Sequence, residues 1–491
     1  MSHLATPPSP SSLLLLTDLY QLTMACGYWR AGMADREAVF HLFFRTQPFR
    51  SGYTVAAGLE LAVDYLRSLQ LTPEDAAYLA TLRGGDGKAL FDADFLSALR
   101  TMDLGLDVDA VPEGTVVFPS EPLVRIRGPI IACQMVESAL LNILNFSSLI
   151  ATKAARICGA AKGEPVMEFG LRRAQGIDGA LTASRAAYIG GCAATSNVLA
   201  GRLFGIPVKG THAHSWVMCF ESELEAFRTY AEAMPNNATF LVDTYDTLEG
   251  VRHAIEIGLL LRERGQKFLG IRLDSGDLAW LSKEARKLLD EAGFTDTVIV
   301  ASNDLDEHLI ESLKGQGACI GAWGVGTKLV TAYDQPALGG VYKLGAIRKP
   351  GDPWSYRIKL SEQLIKISNP GIQQVRRFFQ SGKPVGDAIY DVENPPLGET
   401  TIVDPTEMIR HKSFEKGTEF LDLLQPVMRG GKFVGEQETL EVIRARAAQQ
   451  ISSFDETIRR LDNPHRYPAG LELSLYDRKL AMVQAAREAG K

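Results

Sequence analysis

Cysteine is scarce in this 491-residue chain: six residues (Cys26, Cys133, Cys158, Cys192, Cys219 and Cys319), no CxxC pair, and none after Cys319. That pattern excludes a disulfide framework and offers no zinc site, and it suits reduced thiols in a cytoplasmic protein. Long apolar runs are missing too. The Leu13–Leu16 stretch stops at Thr17 and Asp18, and nothing later stays apolar for the roughly 20 residues a bilayer demands, so no signal, anchor or membrane partner is expected. Basic blocks are absent: 52 Lys and Arg stand against 59 Asp and Glu, a net charge of −7, which argues against nucleic acid. There is no GxxxxGK[ST] loop and no internal repeat.

What is present has the texture of an α/β enzyme of more than one lobe. A Pro- and Ser-rich stretch, residues 1–12, reads as a disordered tail. Residues 13–150 read as an α+β domain, with helical spacing in LAVDYLRSL and DAAYLATLR, a strand in AVFHLFFR, and a small antiparallel module over residues 111–130. Over residues 151–348, the apolar runs VMEFGL, IPVKGTHA, FLVDTY, FLGIRLD, VIVASND, GAWGVGT and VYKLG alternate with helical segments. This predicts parallel strands in an irregular TIM-like (β/α) barrel, with active residues at the carboxyl ends. Residues 349–491 are expected to return in part to the N-terminal domain and to end in helices over 436–461 and 476–489.

Several strand ends carry chemistry. In GTHAHS (210–215), His214 has three readings: phosphoryl acceptor, general base, or buried hydrogen-bonded ring. His212 lies two residues away. Asp243, in LVDTYDT, is the expected orienter: a carboxylate on one imidazole nitrogen makes the other a better nucleophile. In IRLDSGDL, Arg272 and Asp274 share a face, while Gly276 permits a tight turn before Asp277. They suit an anion and a sugar hydroxyl or hydrated magnesium, or else a surface turn with its own salt bridge. GVGTK (324–328) offers backbone amides at a helix start, a feature that is also common punctuation. EFGLRRAQG (168–176) places Phe169, Arg172 and Arg173 where they could hold a flat acidic ring, or where Phe169 is core and the arginines are solvated.

In this order TDLYQLTM, AVFHLFFR, LIATKAAR, EFGLRRAQG, GTHAHS, LVDTYDT, IRLDSGDL, SNDLDE and GVGTKLVT closely resemble the nicotinate phosphoribosyltransferase family, type II phosphoribosyltransferases. The resemblance implies conversion of nicotinate and 5-phosphoribosyl 1-diphosphate to nicotinate mononucleotide and diphosphate in NAD biosynthesis. It also implies coupling to ATP hydrolysis through a phosphohistidine, with Mg2+ accompanying ATP and phosphoribosyl diphosphate, and a homodimer with a shared active site. Residue by residue, it makes His214 the phosphorylated histidine, Asp243 its partner and Asp274 a catalytic carboxylate. Nicotinate would be held by Tyr20, Phe169, Arg172, Thr211 and Arg272, with Tyr20 supplied across the dimer interface; Asp18, Gly326 and Thr327 would bind phosphoribosyl diphosphate. Some bacterial relatives carry a C-terminal cysteine cluster; this chain has none, so no zinc is expected. The nearest rival is the nicotinamide-specific enzyme, which would want Asp where Ser196 stands. A non-catalytic relative, or a Schiff-base aldolase using Lys209, has less support.

Overall fold

The computed structural model describes residues 12–407 and 409–489 and divides into two compact units: Met1–Leu149 with Ala337–Lys491, and Ile150–Pro336. Apart from Ser12, the tail expected over residues 1–12 lies outside the described residues. The first boundary falls inside the helix Glu137–Ala161.

In the first unit a seven-stranded sheet runs in the order Ser355–Tyr356, Gly340–Arg348, Glu37–Phe44, Val124–Pro129, Asp107–Ala110, Gln425–Arg429, Lys432–Phe433, with every pairing antiparallel. Glu37–Phe44 is buried along nearly its whole length because it is apolar on both faces, and Phe40 stacks on Tyr342 at 4.8 Å between centroids. This overturns one expectation. VYKLG is not the last strand of the barrel: Gly340–Arg348 pairs antiparallel with Glu37–Phe44, Leu42 opposite Tyr342. Its alternating apolar residues fit either sheet, and the apolar face around Phe40 takes it.

A second sheet of the same unit, order His411–Phe414, Thr400–Val403, Ala469–Glu472, Lys383–Asp391, Gln373–Gln380, Glu419–Asp422, carries the C-terminal region. Across its Gln373–Gln380 and Lys383–Asp391 strands, Arg377 stands opposite Asp387. The helices expected over 436–461 and 476–489 run Leu440–Ser453 and Leu473–Ala489.

The second unit is a parallel six-stranded sheet, order Ala194–Thr195, Val166–Glu168, Ala322–Val325, Val298–Ala301, Gly270–Leu273, Thr239–Leu241. Each strand is a short apolar run, as burial on both faces requires. IPVKGTHA supplies only a single parallel bridge, Thr195 to Val208, beyond one edge. Among the described residues no pairing joins that edge to Thr239–Leu241, so what is seen is a parallel α/β sheet. Helices follow the strands, and three start alike: Asp246, Asp277 and Asp306 accept backbone N–H bonds from Glu249 (2.9 Å), Ala279 and Trp280 (3.1 and 3.0 Å), and Leu309 (2.8 Å). The second carboxylates of DTYDT and DSGD are therefore helix caps. Gly276, at φ +76°, makes the turn that separates Asp274 from its capping neighbour.

Candidate functional site

Parallel strands with right-handed helical crossovers bring successive strand ends to one edge of the sheet, so residues far apart in sequence gather there. Phe169 follows Val166–Glu168, Asp243 and Thr244 follow Thr239–Leu241, Asp274 and Ser275 follow Gly270–Leu273, Ser302 follows Val298–Ala301, and Gly326 and Thr327 follow Ala322–Val325.

Arg272 is the hub. Its Nε donates to Ser302 Oγ (2.8 Å), Nη1 to Thr211 Oγ1 (3.2 Å) and Nη2 to Asp274 Oδ1 (3.0 Å), and the guanidinium lies 5.8 Å from the centre of the Phe169 ring. Ser302 also donates to Asp274 Oδ1. Burial opposes ionisation of Asp274, but the Ser302 hydroxyl and the Arg272 charge outweigh it and hold the carboxyl below its usual range.

Asp243 Oδ2 accepts from the Asp274 amide (2.9 Å) and from Ser275 Oγ (2.6 Å). Its Oδ1 is buried and has no hydrogen-bond partner, on a side chain only 1% exposed. An unpaired buried carboxylate oxygen is costly, and such atoms mark places where something else binds.

His214 begins the short helix His214–Met218. Its Nε2 lies 3.9 Å from Asp243 Oδ1 and 3.7 Å from Asp274 Oδ2, beyond hydrogen-bond reach, and its side chain is 40% exposed. The ring's hydrogen bond is made by Nδ1, 3.1 Å from Thr244 Oγ1. Asp243 was expected to orient the ring directly; instead its carboxylate is turned into the Gly270–Leu273 strand end by the Asp274 and Ser275 donors, and Thr244 contacts the imidazole.

His212 is the structural member of the pair. Its Nε2 accepts from the Leu241 amide (3.2 Å), so Nδ1 carries the proton, 3.3 Å from the Ala213 carbonyl. It packs against Tyr230, Phe227 and Phe240, and burial pulls its pKa down to about 4.

Phe169 is fixed from below. Buried Glu168 accepts from the Gly170 amide, Ser184 Oγ (2.8 Å) and Thr195 Oγ1 (2.6 Å), tying the strand end to its neighbours. The Phe169 amide donates to Val325 O (2.8 Å). A Cβ on Gly324 would stand 2.6 Å from a ring carbon of Phe169, so only glycine lets that ring lie flat on the strand.

Not every expected residue joins this cluster. Arg172 lies exposed in the turn Leu171–Arg173, with no hydrogen bond to the cluster. Lys328 of GVGTK is engaged by Asp306 at 2.6 Å, and that bond raises its pKa. Asp18 and Tyr20 belong to the first unit, where Asp18 precedes the helix Leu19–Arg30 and its Oδ2 accepts from Ser138 (2.6 Å). Tyr20 is half-exposed; burial of its phenol and the Glu137 and Asp18 carboxylates push its pKa up. Thr244, Ser302 and Glu168 were not foreseen. Each lies inside or beside a motif that was read, but only the fold shows what its side chain touches.

A parallel sheet edged with a histidine, two carboxylates, a half-buried guanidinium and an aromatic ring is the layout of an α/β enzyme acting on a small anionic substrate. Sequence models of nicotinate phosphoribosyltransferase match this chain in three consecutive stretches: the N-terminal domain over residues 15–145, the family proper over 165–352 and the C-terminal domain over 372–479. The nicotinate phosphoribosyltransferase of Bacillus subtilis is 43% identical over 483 residues, covering 97% of this chain and 96% of that protein. The Homo sapiens nicotinate phosphoribosyltransferase is 35% identical over 530 residues, 96% of each. The crystal structure of human nicotinic acid phosphoribosyltransferase superposes with a TM-score of 0.82 at 33% identity, covering 95% of this chain and 99% of that one. A nicotinate-nucleotide pyrophosphorylase from Pyrococcus furiosus, TM-score 0.70 at 22% identity over 92% of this chain, shares the fold. The chain belongs to the nicotinate phosphoribosyltransferase family.

Proposed function

We propose that the protein catalyses the reaction of nicotinate with 5-phosphoribosyl 1-diphosphate, giving nicotinate mononucleotide and diphosphate, with ATP hydrolysed to ADP and phosphate through a phosphohistidine at His214. The observation that carries this reading is the convergence of His214 Nε2, the unpartnered Asp243 Oδ1 and the free Asp274 Oδ2, in a chain similar along its length to nicotinate phosphoribosyltransferases.

Loss of diphosphate leaves positive charge on the ribose ring, which the ionised Asp274 stabilises. The nicotinate nitrogen then bonds to C1, so the protein must position rather than protonate it. Phe169 supplies one face for the ring; Thr211 and Arg272 answer its carboxylate; Tyr20 is assigned to the other face, from a partner copy. Gly326, Thr327 and Asp18 are assigned to the phosphoribosyl diphosphate, and Arg172, exposed, to its approach or to nicotinate. Mg2+ fits the residues present: Asp243 Oδ1 and Asp274 Oδ2 are hard oxygen donors without other hydrogen-bond partners. Bound there, it would neutralise phosphate charge. The six parallel strands are consistent with an incomplete TIM-like barrel. Val198, Leu199 and Leu203 stay exposed on one short helix, apolar surface that a second copy would cover in a homodimer. No helix among the described residues is long and apolar enough to cross a membrane, and the scattered cysteines, with no CxxC pair, fit a cytoplasmic setting.

Nicotinamide is the second reading. A neutral amide has no use for the Arg272 charge, and Ser196 offers no carboxylate to receive the amide protons. Initial rates with nicotinate and nicotinamide, each with phosphoribosyl diphosphate and with or without ATP, test the assignment: nicotinate should be preferred at least about 100-fold in kcat/KM, the scale of a lost charge-assisted pair. Equal rates, or preference for the amide, would reverse it.

A further inference from the structure

We infer that Thr244 is the positioning residue of the phosphoryl-accepting histidine: its hydroxyl accepts the Nδ1 proton of His214, which leaves the Nε2 lone pair as the nucleophile. This rests on the coupled reaction proposed above and deepens it.

Among the described residues, Thr244 alone is within bonding distance of the ring, at 3.1 Å from Nδ1; the two carboxylates stand 3.7 and 3.9 Å from Nε2. The His214 side chain is 40% exposed, and Nδ1 is engaged while Nε2 has no contact within hydrogen-bond distance of either carboxylate. Thr244 is itself held by chain geometry: it sits between Asp243, anchored by the Asp274 amide and Ser275, and Asp246, which caps the helix Thr247–Glu263. A neutral imidazole carries one proton, so a hydroxyl that accepts from Nδ1 selects the tautomer with a free Nε2. Phosphoryl transfer then balances simply. The Nε2 lone pair attacks the γ-phosphorus of ATP, the bond from phosphorus to the bridging oxygen breaks, and ADP leaves with that electron pair. The Nδ1 proton stays in its bond to Thr244, which spreads the positive charge that develops on the ring. When the phosphohistidine is later hydrolysed, a water oxygen bonds to phosphorus and gives up a proton to solvent, the N–P bond breaks, its electron pair returns to Nε2 and inorganic phosphate leaves.

The test compares wild type with Thr244→Val, which keeps the shape and removes the hydroxyl, and Thr244→Ser, which keeps the hydroxyl. With γ-labelled ATP, Thr244→Val should slow labelling of His214 by about tenfold, the scale of one hydrogen bond to a charged ring, and Thr244→Ser should restore it. Phosphorus–nitrogen NMR of the labelled chain in alkali should find phosphorus on Nε2 alone in wild type and on both nitrogens in Thr244→Val. Unchanged rate and unchanged nitrogen in Thr244→Val would overturn the inference. Should the wild type take no label, the coupled reaction fails, and the positioning is still read from the resting enzyme. There the Nδ1 resonance of His214, assigned by its loss in His214→Ala, should move in Thr244→Val and return in Thr244→Ser. An Nδ1 resonance indifferent to the hydroxyl would contradict the role of Thr244 whatever the fate of ATP.

Discussion

Each unit contains an arginine locked to an aspartate, and the two pairs are built to opposite specifications. In the first unit Arg377 and Asp387 are 2% and 0% exposed; Arg377 donates through Nε and Nη2 to Asp387 and through Nη2 to the Val116 carbonyl at 2.8 Å, while Tyr467 donates to Asp387 at 2.8 Å. In the second unit Arg272 is tied down just as fully, but Asp274 keeps one oxygen free and its neighbour Asp243 has a buried oxygen with no partner. A saturated pair holds strands together; a pair with acceptors left over has the valences to take a ligand. The difference lies in the unspent valences, since both pairs contain the same two residue types.

The largest effect should come from removing a partner of the saturated pair. Asp387→Ala strands a buried guanidinium and should cost about 3–5 kcal/mol of unfolding free energy, measured by denaturant titration. Asp243→Asn should do the reverse: stability within about 1 kcal/mol of wild type, because the Asp274 amide and Ser275 can still find an oxygen, with coupled product formation lower by about 100-fold. A large stability loss in that variant would make the open cluster as structural as the closed one. Gly324→Ala forces the Phe169 ring off its seat and should raise KM for nicotinate by about tenfold, the equivalent of about 1.4 kcal/mol of overpacking.

The mildest expected effect concerns one buried histidine in each unit. Burial holds His212 at about 4 and His41 at about 3, His41 accepting from the Gln373 amide at 3.0 Å. Below a pH of about 6.5 the unfolded chain protonates both while the folded chain does not. Their stabilising contribution is therefore complete above that pH and is lost as pH falls, through about 4 for His212 and about 3 for His41. Thermal unfolding followed from pH 7 to pH 4 should show a falling midpoint; a flat profile would mean that other groups compensate for both rings.

Much of the second unit was legible because its strands are short apolar runs that stop at polar residues, so Asp243, Asp274 and Gly326 could be placed at strand ends by pattern alone, whereas His214 opens a short helix beyond the lone bridge at Val208. Partner choice was not. VYKLG has the same texture as a barrel strand and pairs with Glu37–Phe44 instead, since periodicity records which face is apolar and says nothing about which strand lies beside it. Ala194–Thr195 is too short for any periodic signal. The Asp243 and His214 assignment shows the same limit at atomic scale: both residues were found, but not which atoms meet, since a side chain's direction depends on the neighbouring strand's amide and hydroxyl; Asp243 Oδ1 stands 3.9 Å from His214 Nε2, and His214 Nδ1 stands 3.1 Å from Thr244 Oγ1.

The most direct measurement is incubation with γ-labelled ATP, nicotinate and phosphoribosyl diphosphate, comparing wild type with His214→Ala for bound label and for nicotinate mononucleotide. The open cluster is a coupled transfer site if wild type acquires acid-labile label and makes more product with ATP, and if both the label and the stimulation vanish in His214→Ala. Equal ATP stimulation in the two proteins, with no label depending on His214, would contradict it.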